Sequence, residues 1–202
     1  MFLSTPKFIQ KCFPSIVWSK KNYQNNIWLT FDDGPSPEST PFILNILKEE
    51  QVKATFFLIG EQIEKYPELF NKIINDGHIV ANHSYSHKSG WRSNNYTYFN
   101  DIEKCQQLMP NNKLFRPPYG RISPTQIRHL KKKYKLILWD VLSWDFSLAK
   151  PERIKAHILK KTISGSILVF HNNKKSVSNL QHILKETIKD LKQKRFLFST
   201  SW

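Results

Sequence analysis

The stretch LTFDDGP, residues 29–35, ends an apolar run with two adjacent carboxylates and then with two residues that break regular structure. The apolar run, residues 27–31, has the length and composition of a buried strand, and the Gly-Pro pair predicts a turn after it. Neighbouring carboxylates repel each other and resist burial, so they need either open solvent or a compensating cation. Asp32 and Asp33 are therefore interpreted either as a polar turn or as part of a cation site.

Short apolar runs alternate with helical patterns along the whole chain, which indicates an α/β fold. The runs predicted as strands are residues 27–31, 54–59, 78–82, 114–116, 136–139, 166–170 and 196–199. The segments predicted as helices are residues 39–50, 67–76, 96–109, 123–133, 151–161 and 177–194. Several strands are apolar on both faces, as buried parallel strands are. No Gly-rich phosphate loop supports an open doubly wound sheet, so a single distorted (β/α) barrel of about seven strands is favoured.

Polar residues follow five of the predicted strands at their carboxyl ends. They are Asp32 and Asp33, His83 and His87, Arg116, Asp140 and Asp145, and His171. In a parallel barrel these strand ends meet on one rim, where active sites form. The pattern predicts that these residues are neighbours, although each could separately be a solvated loop residue.

The segment NHSYSH, residues 82–87, contains two histidines with three residues between them. This spacing can place both imidazoles on one metal ion, and two histidines with one carboxylate leave a position open for water. Either Asp32 or Asp33 can supply the carboxylate. The alternative is a pair of unrelated surface histidines.

Composition sets limits on the organisation and the partners of the chain. The 202 residues, 40% of them hydrophobic, predict one domain over residues 1–202, with residues 1–26 as an N-terminal extension packing on the barrel. The formal charge of +15 favours contact with an anionic membrane surface or cell-wall polymer. The basic clusters lack interleaved stacking aromatics, so no nucleic-acid partner is expected, and we expect a monomer.

The termini and cysteines give expectations about location. Residues 1–21 show no unbroken apolar run of the signal-peptide type, and no run approaches the roughly 20 apolar residues that span a bilayer. A cytoplasmic location, with peripheral membrane association as an option, is the default expectation. Cys12 and Cys105 lie far apart in no metal-like spacing and are expected to be free thiols.

Five motifs in order carry a resemblance to a known family. They are TFDDGP at residues 30–35, NHSYSH at 82–87, FRPPYG at 115–120, LWDVLSWDF at 138–146 and ILVFHN at 167–172. Together they resemble the polysaccharide deacetylases, the NodB-homology family of carbohydrate esterases. The resemblance runs from residue 27 to the C-terminus and implies a distorted (β/α) barrel.

The resemblance also implies a metal site. Asp33 with His83 and His87 would bind one divalent ion, and Asp32 would be the general base that takes a proton from water. Two imidazoles and one carboxylate suit Zn²⁺ first, with Co²⁺, Ni²⁺, Mn²⁺ or Fe²⁺ as alternatives.

Further roles follow from the remaining motifs. Arg116 would hold Asp32 ionised and oriented, and the backbone N–H of Tyr119 would face the oxyanion that develops on the acetyl carbonyl. His171 would be the general acid that protonates the leaving group, with Asp145 orienting its imidazole and raising its pKa.

The acetyl pocket is where this chain departs from the family pattern. Phe146 and Val169 match apolar pocket positions, but Phe146 stands where many relatives have Trp. Trp144 occupies a position expected to be smaller, and Asn172 stands where Asp is common. Asp140 is a second carboxylate that could orient His171 in place of Asp145.

The sequence thus predicts a metal-dependent hydrolase that removes N-acetyl groups from an amino-sugar glycan. One alternative keeps the chemistry and changes the bond to an O-acetyl ester. The other alternative is an inactive member of the fold that binds an anionic polymer, but a binding module has no need of a base, an acid and metal ligands together.

Overall fold

The structure, a computed structural model, describes residues 7–20, 24–109 and 112–202, and the side chains from residue 10 onwards within these ranges. The strands of this described part are β1 Ile16–Val17, β2 Asn26–Asp33, β3 Thr55–Leu58, β4 Ile79–Asn82, β5 Leu114–Phe115, β6 Lys135–Ile137, β7 Val141–Leu142, β8 Ile167–His171 and β9 Leu197–Phe198. The helices are α1 Lys7–Cys12, α2 Thr40–Glu49, α3 Gly60–Lys65, α4 Pro67–Asn75, α5 Asn95–Gln107, α6 Pro124–Leu130, α7 Pro151–Lys161 and α8 Val177–Gln193.

The strands form one curled parallel sheet. Their order is β1-β6-β5-β4-β3-β2-β8-β7, and β9 pairs with the amino end of β2. An isolated antiparallel bridge joins Ser19, just after β1, to Ser166, just before β8, so the two sides of the sheet approach each other. The predicted α/β barrel class is confirmed, and all seven predicted strands are present. The short strands β1 and β7 and the helices α1 and α3 are additional.

The N-terminal segment takes part in the sheet. Ile16 and Val17 pair with Leu136 and Ile137 of β6, which makes β1 an edge strand. Residues 1–6 and 21–23 of the predicted extension lie outside the described residues. In the described part of the chain, no helix combines the length and the apolar character needed to cross a membrane.

β2 lies at the centre of the fold, between β3 and β8. Side chains alternate along a strand, so one set faces the helices and the other faces the interior of the curled sheet. Ile27, Leu29 and Phe31 belong to the core cluster that α2, α4, α7 and α8 cover. Trp28 belongs to the second cluster, on the inner face. The same alternation places Asp32 on the inner face, at the carboxyl end of the strand.

Phe31 shows how tightly the helix-covered face is packed. Its ring stacks on Phe56 at 5.1 Å between centroids and lies 5.9 Å from the ring of Phe170. We expect Phe31→Ala to lower the free energy of unfolding by about 3–5 kcal/mol, because it leaves a cavity that the neighbouring rings cannot fill. Urea-induced unfolding measures this change.

Leu148→Ala is the matched control for Phe31→Ala, because Leu148 is fully exposed in a loop. Its effect should stay within about 0.5 kcal/mol of zero. Equal unfolding midpoints for the two variants would contradict the packing described here.

Candidate active site

The two carboxylates at the end of β2 point to different partners. Asp32 is buried and accepts a hydrogen bond from Arg116 at 2.5 Å. Asp33 has a left-handed backbone, with φ of 82°. One of its oxygens, Oδ1, lies 3.2 Å from Nε2 of His87 and 3.6 Å from Nε2 of His83. The two carboxylates therefore both line the cavity, but they point to different partners.

Asp33, His83 and His87 form a cluster whose ligand atoms all lie within 4.8 Å of one another. Nδ1 of His83 is 2.8 Å from the carbonyl oxygen of Arg116, which can only accept a hydrogen bond. Nδ1 therefore carries the proton, and Nε2 offers its lone pair towards Asp33. This donor set, one carboxylate and two imidazoles, fits a divalent ion.

The protonation states also suit metal binding. Burial lowers the pKa of His83 to about 4, although Asp32 and Asp33 act in the opposite direction. Burial raises the pKa of Asp33, but the hydrogen bond with His87 and the charges of the nearby histidines outweigh it and hold this pKa well below its usual range. At neutral pH the site thus presents a neutral imidazole at His83 and an ionised carboxylate at Asp33.

Asn173 fixes the second oxygen of Asp33. Its side-chain amide donates to Oδ2 of Asp33 at 2.5 Å. Its own oxygen accepts from the backbone N–H groups of Lys175 and Ser176, at 2.9 and 3.2 Å. These bonds decide which way the amide points. The sequence analysis did not identify Asn173, and its place directly after the last motif is the one signal that could have drawn attention to it.

Asp101, on α5, supports the histidine loop from outside the motifs. Its Oδ2 accepts from the backbone N–H groups of Tyr85 and Ser86, at 3.0 and 3.1 Å. Its Oδ1 accepts from the Ser86 hydroxyl at 2.7 Å and from Lys88 at 3.2 Å. The sequence analysis missed this residue as well, because a single Asp within a helical pattern gives no sign of the loop that it holds.

The partner of Asp32 is a completely buried arginine. Arg116 follows β5 and also donates to the Thr30 hydroxyl at 2.8 Å, and its guanidinium carbon lies 4.0 Å from the centre of the Phe57 ring. A buried guanidinium needs an ionised partner to offset its loss of hydration. The hydrogen bond from Arg116 therefore fixes the orientation of the Asp32 carboxylate.

His171 and Asp145 form a second pair, in which Asp145 is fully buried and His171 is partly exposed. Nδ1 of His171 lies 2.7 Å from Oδ1 of Asp145, and the backbone N–H of His171 donates to Oδ2 at 2.7 Å. Oδ1 also accepts from the Ser143 hydroxyl at 2.9 Å. Burial lowers the pKa of His171, but the charge and hydrogen bond of Asp145 outweigh it and raise this pKa to about 9. His171 is therefore a cation at neutral pH.

Asp140 lies at the opposite end of β8 from His171. Its carboxylate accepts from the Ile167 backbone N–H at 2.7 Å and from the Ser166 hydroxyl at 2.9 Å. Ile167 begins β8 and His171 ends it. The expectation that Asp140 lies on the active rim is wrong, because Asp140 directly precedes the short strand β7, which runs parallel to β8 and pairs Val141 with Leu168 near the amino end of β8. Asp140 does not compete with Asp145.

A cavity of about 520 Å³ joins these two pairs and the histidine cluster. Its lining includes Asp32, Asp33, His83, His87 and His171, with Trp139, Leu142, Tyr119 and Phe146 as apolar walls and with Glu38, Lys174 and Lys175 as charged ones. The Phe146 ring meets His171 edge-on at 4.8 Å, and the Tyr119 ring lies 4.5 Å from that of His87. Residues from six separate chain segments thus meet in one cleft.

Three further positions bear on the pocket. Val169 has no exposed surface and packs in the inner core cluster. Leu142 of β7 pairs with Val169 of β8, and Leu142 lines the cavity whereas Val169 does not. Trp144 has a left-handed backbone, with φ of 64°. The oxygen of Asn172 accepts from the Ser39 hydroxyl at 2.6 Å, which ties the segment after β8 to the start of α2.

Comparisons with known proteins agree with this geometry. The family model described as polysaccharide deacetylase matches residues 19–136. A peptidoglycan-N-acetylglucosamine deacetylase of Bacillus cereus is 37% identical over 150 residues, 71% of this chain and 54% of the relative, so the chain spans about half of that protein. A chitooligosaccharide deacetylase of Azorhizobium caulinodans is 33% identical over 157 residues, 74% of each chain.

A solved structure extends the similarity to the three-dimensional fold. The crystal structure of the Bc1960 peptidoglycan N-acetylglucosamine deacetylase matches with a TM-score of 0.83 and 33% identity, covering 92% of this chain and 90% of that one. The chain therefore belongs to the polysaccharide deacetylase family, the NodB-homology group of carbohydrate esterases.

The hydrogen bond from Asn173 to Asp33 generates a prediction about metal affinity. We expect Asn173→Ala to weaken binding of Zn²⁺ by about 10- to 100-fold, because the carboxylate loses the partner that orients it. Competition with a chromophoric chelator measures the dissociation constant.

Two further variants make this prediction specific. Asn173→Ser keeps an oxygen that can cap the turn at Ser176 but cannot reach Asp33, so it should lose a similar factor. Asn45→Ala, at an exposed position of α2, should bind Zn²⁺ like the wild-type protein. Unchanged affinity in both Asn173 variants would show that Asp33 needs no such partner.

Proposed function

We propose that the protein is a metal-dependent deacetylase that hydrolyses N-acetyl groups on an amino-sugar glycan. The observation that carries this proposal is that one cavity is lined by the cluster of Asp33, His83 and His87, by Asp32 with its partner Arg116, and by His171 with its partner Asp145. Hydrogen bonds from Arg116 to Asp32, between Asp145 and His171, and from Asn173 to Asp33 orient these side chains. A binding module would gain nothing from such an arrangement.

In this proposal Asp33, His83 and His87 hold one divalent ion. Zn²⁺ is the first candidate from the donor set, with Co²⁺, Ni²⁺, Mn²⁺ or Fe²⁺ as alternatives. When bound, such an ion polarises a carbonyl oxygen and lowers the pKa of water that it coordinates.

Asp32 is proposed to be the general base. Its Oδ1 is engaged by Arg116, and its Oδ2 lies 3.9 Å from Nε2 of His83, on the side of the ion site. Oδ2 can therefore accept the proton of the attacking water, while the guanidinium holds the carboxylate in position.

His171 is proposed to be the general acid. Nδ1 is engaged by Asp145, so the proton on Nε2 is the one available for transfer to the leaving amine. The pKa of about 9 ensures that this proton is present at neutral pH.

The remaining roles concern the acetyl group and stay predictions. The backbone N–H of Tyr119 is proposed to donate to the oxyanion, and Phe146 to shape the acetyl pocket. Val169 is proposed to shape this pocket from behind Leu142, its cross-strand partner, which lines the cavity. Phe146 has a supporting contact, because its ring packs against the proposed acid.

The substrate is proposed to be an acetylated amino-sugar glycan, the class of molecule named in the relatives' descriptions. Peptidoglycan fragments and chitin-like oligomers are the first ligands to assay for acetate release, with and without added metal. A monomeric state, a cytoplasmic location, peripheral contact with anionic membranes or cell-wall polymers, and the absence of a nucleic-acid partner stay predictions.

Substitutions of the two neighbouring carboxylates should have different effects on metal binding and on turnover. Chelation should abolish acetate release, and His83→Ala or His87→Ala should greatly weaken metal binding.

Asp32→Asn should retain the metal and lose turnover, because an amide cannot accept a proton, whereas Asp33→Asn should also lose metal affinity. Metal content and acetate release are measured on the same preparations. Equal metal content and equal activity in the two Asn variants would contradict the assignment of Asp32 as base and Asp33 as ligand.

The effect of removing the proposed general acid should depend on the leaving group of the substrate. We expect His171→Ala to lower turnover of an N-acetyl sugar by about 10²- to 10⁴-fold while the metal stays bound. An activated phenolic acetate leaves without protonation, so the variant should hydrolyse it almost as fast as the wild-type protein. Equal losses on both substrates, together with loss of metal, would make His171 a ligand or a structural residue.

The pH profile tests the His171–Asp145 pair. A general acid works while it is protonated, so activity on the N-acetyl sugar should fall as pH rises through the pKa of His171, which is about 9. Asp145→Asn removes the charge that raises this pKa and leaves the burial that lowers it. The basic limb of the profile should therefore move to lower pH in Asp145→Asn. An unmoved limb would exclude His171 as the titrating group.

A further inference from the structure

A group of exposed basic and aliphatic side chains lies near the amino ends of β2 and β8, at the opposite end of the sheet from the active-site cavity. The helices α7 and α8 end here, and β9 begins here. The side-chain nitrogen of Lys194 donates to the carbonyl oxygen of Leu159 at 2.9 Å, so the ends of the two helices are in contact. The group, called the basal patch, consists of Lys160, Lys161, Ile163, Lys194, Arg195 and Leu197.

The two aliphatic side chains of the basal patch are exposed although their backbone is ordered. Ile163 is 60% exposed and Leu197 is 55% exposed. Leu197 and Phe198 are neighbours on β9, so their side chains point to opposite faces, and Phe198 is the one that packs against the core. The carbonyl oxygen of Ile163 accepts from the N–H of Ser166 at 3.0 Å, and its N–H donates to the Ser166 hydroxyl at 3.1 Å. Both aliphatic groups are thus presented outwards by hydrogen-bonded backbone.

The turn that carries Ile163 and the strand that carries Leu197 are joined through the residues that lead into β2. The N–H of Gly165 donates to the carbonyl oxygen of Asn26 at 2.8 Å, and the N–H of Leu197 donates to that of Asn25 at 3.1 Å. The two aliphatic positions are therefore anchored to neighbouring peptide units of one segment.

The basal patch also concentrates positive charge. Among the residues that the structure describes, none forms an ion pair with Lys160, Lys161 or Arg195. Asp190 and Glu186 of α8 are already paired with other lysines, at 3.0 and 3.2 Å. The patch thus presents positive charge that an anionic partner can neutralise.

The backbone of Arg195 points to a role for this charge beyond helix stability. It is left-handed, with φ of 63°, a conformation that favours glycine after a helix because it is strained for other residues. The N–H of Arg195 donates to the carbonyl oxygen of Lys192 at 2.8 Å and that of Phe196 to Leu191 at 3.1 Å, which closes the last turn of α8. The helix dipole explains basic residues at a helix end, but it explains neither a strained arginine nor the exposed aliphatic groups beside it.

We propose that the basal patch docks the protein on an anionic lipid bilayer. Anionic headgroups attract lysine and arginine, and aliphatic side chains enter the boundary between headgroups and acyl chains. The lysine stems can lie along this boundary while their ammonium groups stay at the headgroups. Docking in this way leaves the active-site cavity, at the carboxyl ends of the strands, facing away from the bilayer. The inference concerns a partner and does not depend on the proposed deacetylase activity.

Cosedimentation with unilamellar vesicles tests the docking surface. The protein should bind vesicles of phosphatidylglycerol mixed with phosphatidylcholine and hardly bind vesicles of phosphatidylcholine alone. Added sodium chloride should weaken binding, because it screens the attraction. Lys160→Gln combined with Lys161→Gln should lower the partition coefficient by about tenfold or more. Ile163→Ser combined with Leu197→Ser should lower it by about tenfold, because the apolar groups that enter the bilayer are lost.

Lys174→Gln combined with Lys175→Gln is the matched control. It removes the same charge from exposed lysines that line the cavity, at the other end of the molecule. This variant should bind anionic vesicles nearly as well as the wild-type protein. Urea-induced unfolding should give similar midpoints for all three double variants, since every substituted side chain is exposed.

Several results would overturn the proposal. They are the absence of binding to anionic vesicles, an equal loss in the control variant and the Lys160 and Lys161 variant, and full binding in the Ile163 and Leu197 variant. Full binding in that variant would indicate the purely electrostatic contact that a soluble anionic polymer makes. Size-exclusion chromatography covers the remaining occupant, because a dimer that the Ile163 and Leu197 variant dissociates would identify a second copy of the chain instead. No glycan or metal enters these measurements, so failure of the docking surface and failure of the deacetylase assignment are distinguishable.

Discussion

The buried ion pair between Arg116 and Asp32 is the contact on which the candidate site depends. It crosses the inside of the curled sheet from the end of β5 to the end of β2, and both side chains are buried. Removing one partner of such a pair leaves an uncompensated buried charge, which costs about 3–5 kcal/mol. The same arginine also holds His83 through its backbone carbonyl. Its side chain thus serves the proposed base and its main chain serves the ion site, so the two functions are coupled through a single residue.

The adjacent carboxylates of the opening stretch coexist because they face different compensating groups. Strand alternation turns Asp32 towards Arg116, while the left-handed backbone of Asp33 turns its side chain towards the histidines and Asn173. Repulsion between the two is therefore offset by a guanidinium on one side and by imidazoles and an amide on the other. A strict extended strand through Asp33 would have placed the two side chains on opposite faces of the sheet. The local break after the strand is what lets both of them reach one cavity.

Much of this arrangement could be predicted from the sequence, because strand ends and apolar periodicity are local properties of the chain. The class of fold, the seven main strands and the approach of Asp32 to His171 follow from them. Asn173 and Asp101 could not be predicted, since each acts on a residue from a distant segment through packing that no spacing encodes. Asp140 was placed on the wrong rim because it directly precedes β7, a two-residue strand beside the amino half of β8 that the sequence analysis did not predict.

The charged side chains on the cavity wall affect what happens after bond cleavage. Lys174 and Lys175 line the cleft of a chain whose formal charge is +15. In the proposed reaction a neutral acetamide becomes a primary amine, which takes up a proton in water and turns into a cation. The glycan that entered uncharged at that position would then experience the positive potential of the protein. Electrostatic repulsion would thereby favour dissociation of the modified glycan over rebinding. Dissolved salt screens this repulsion and would weaken it.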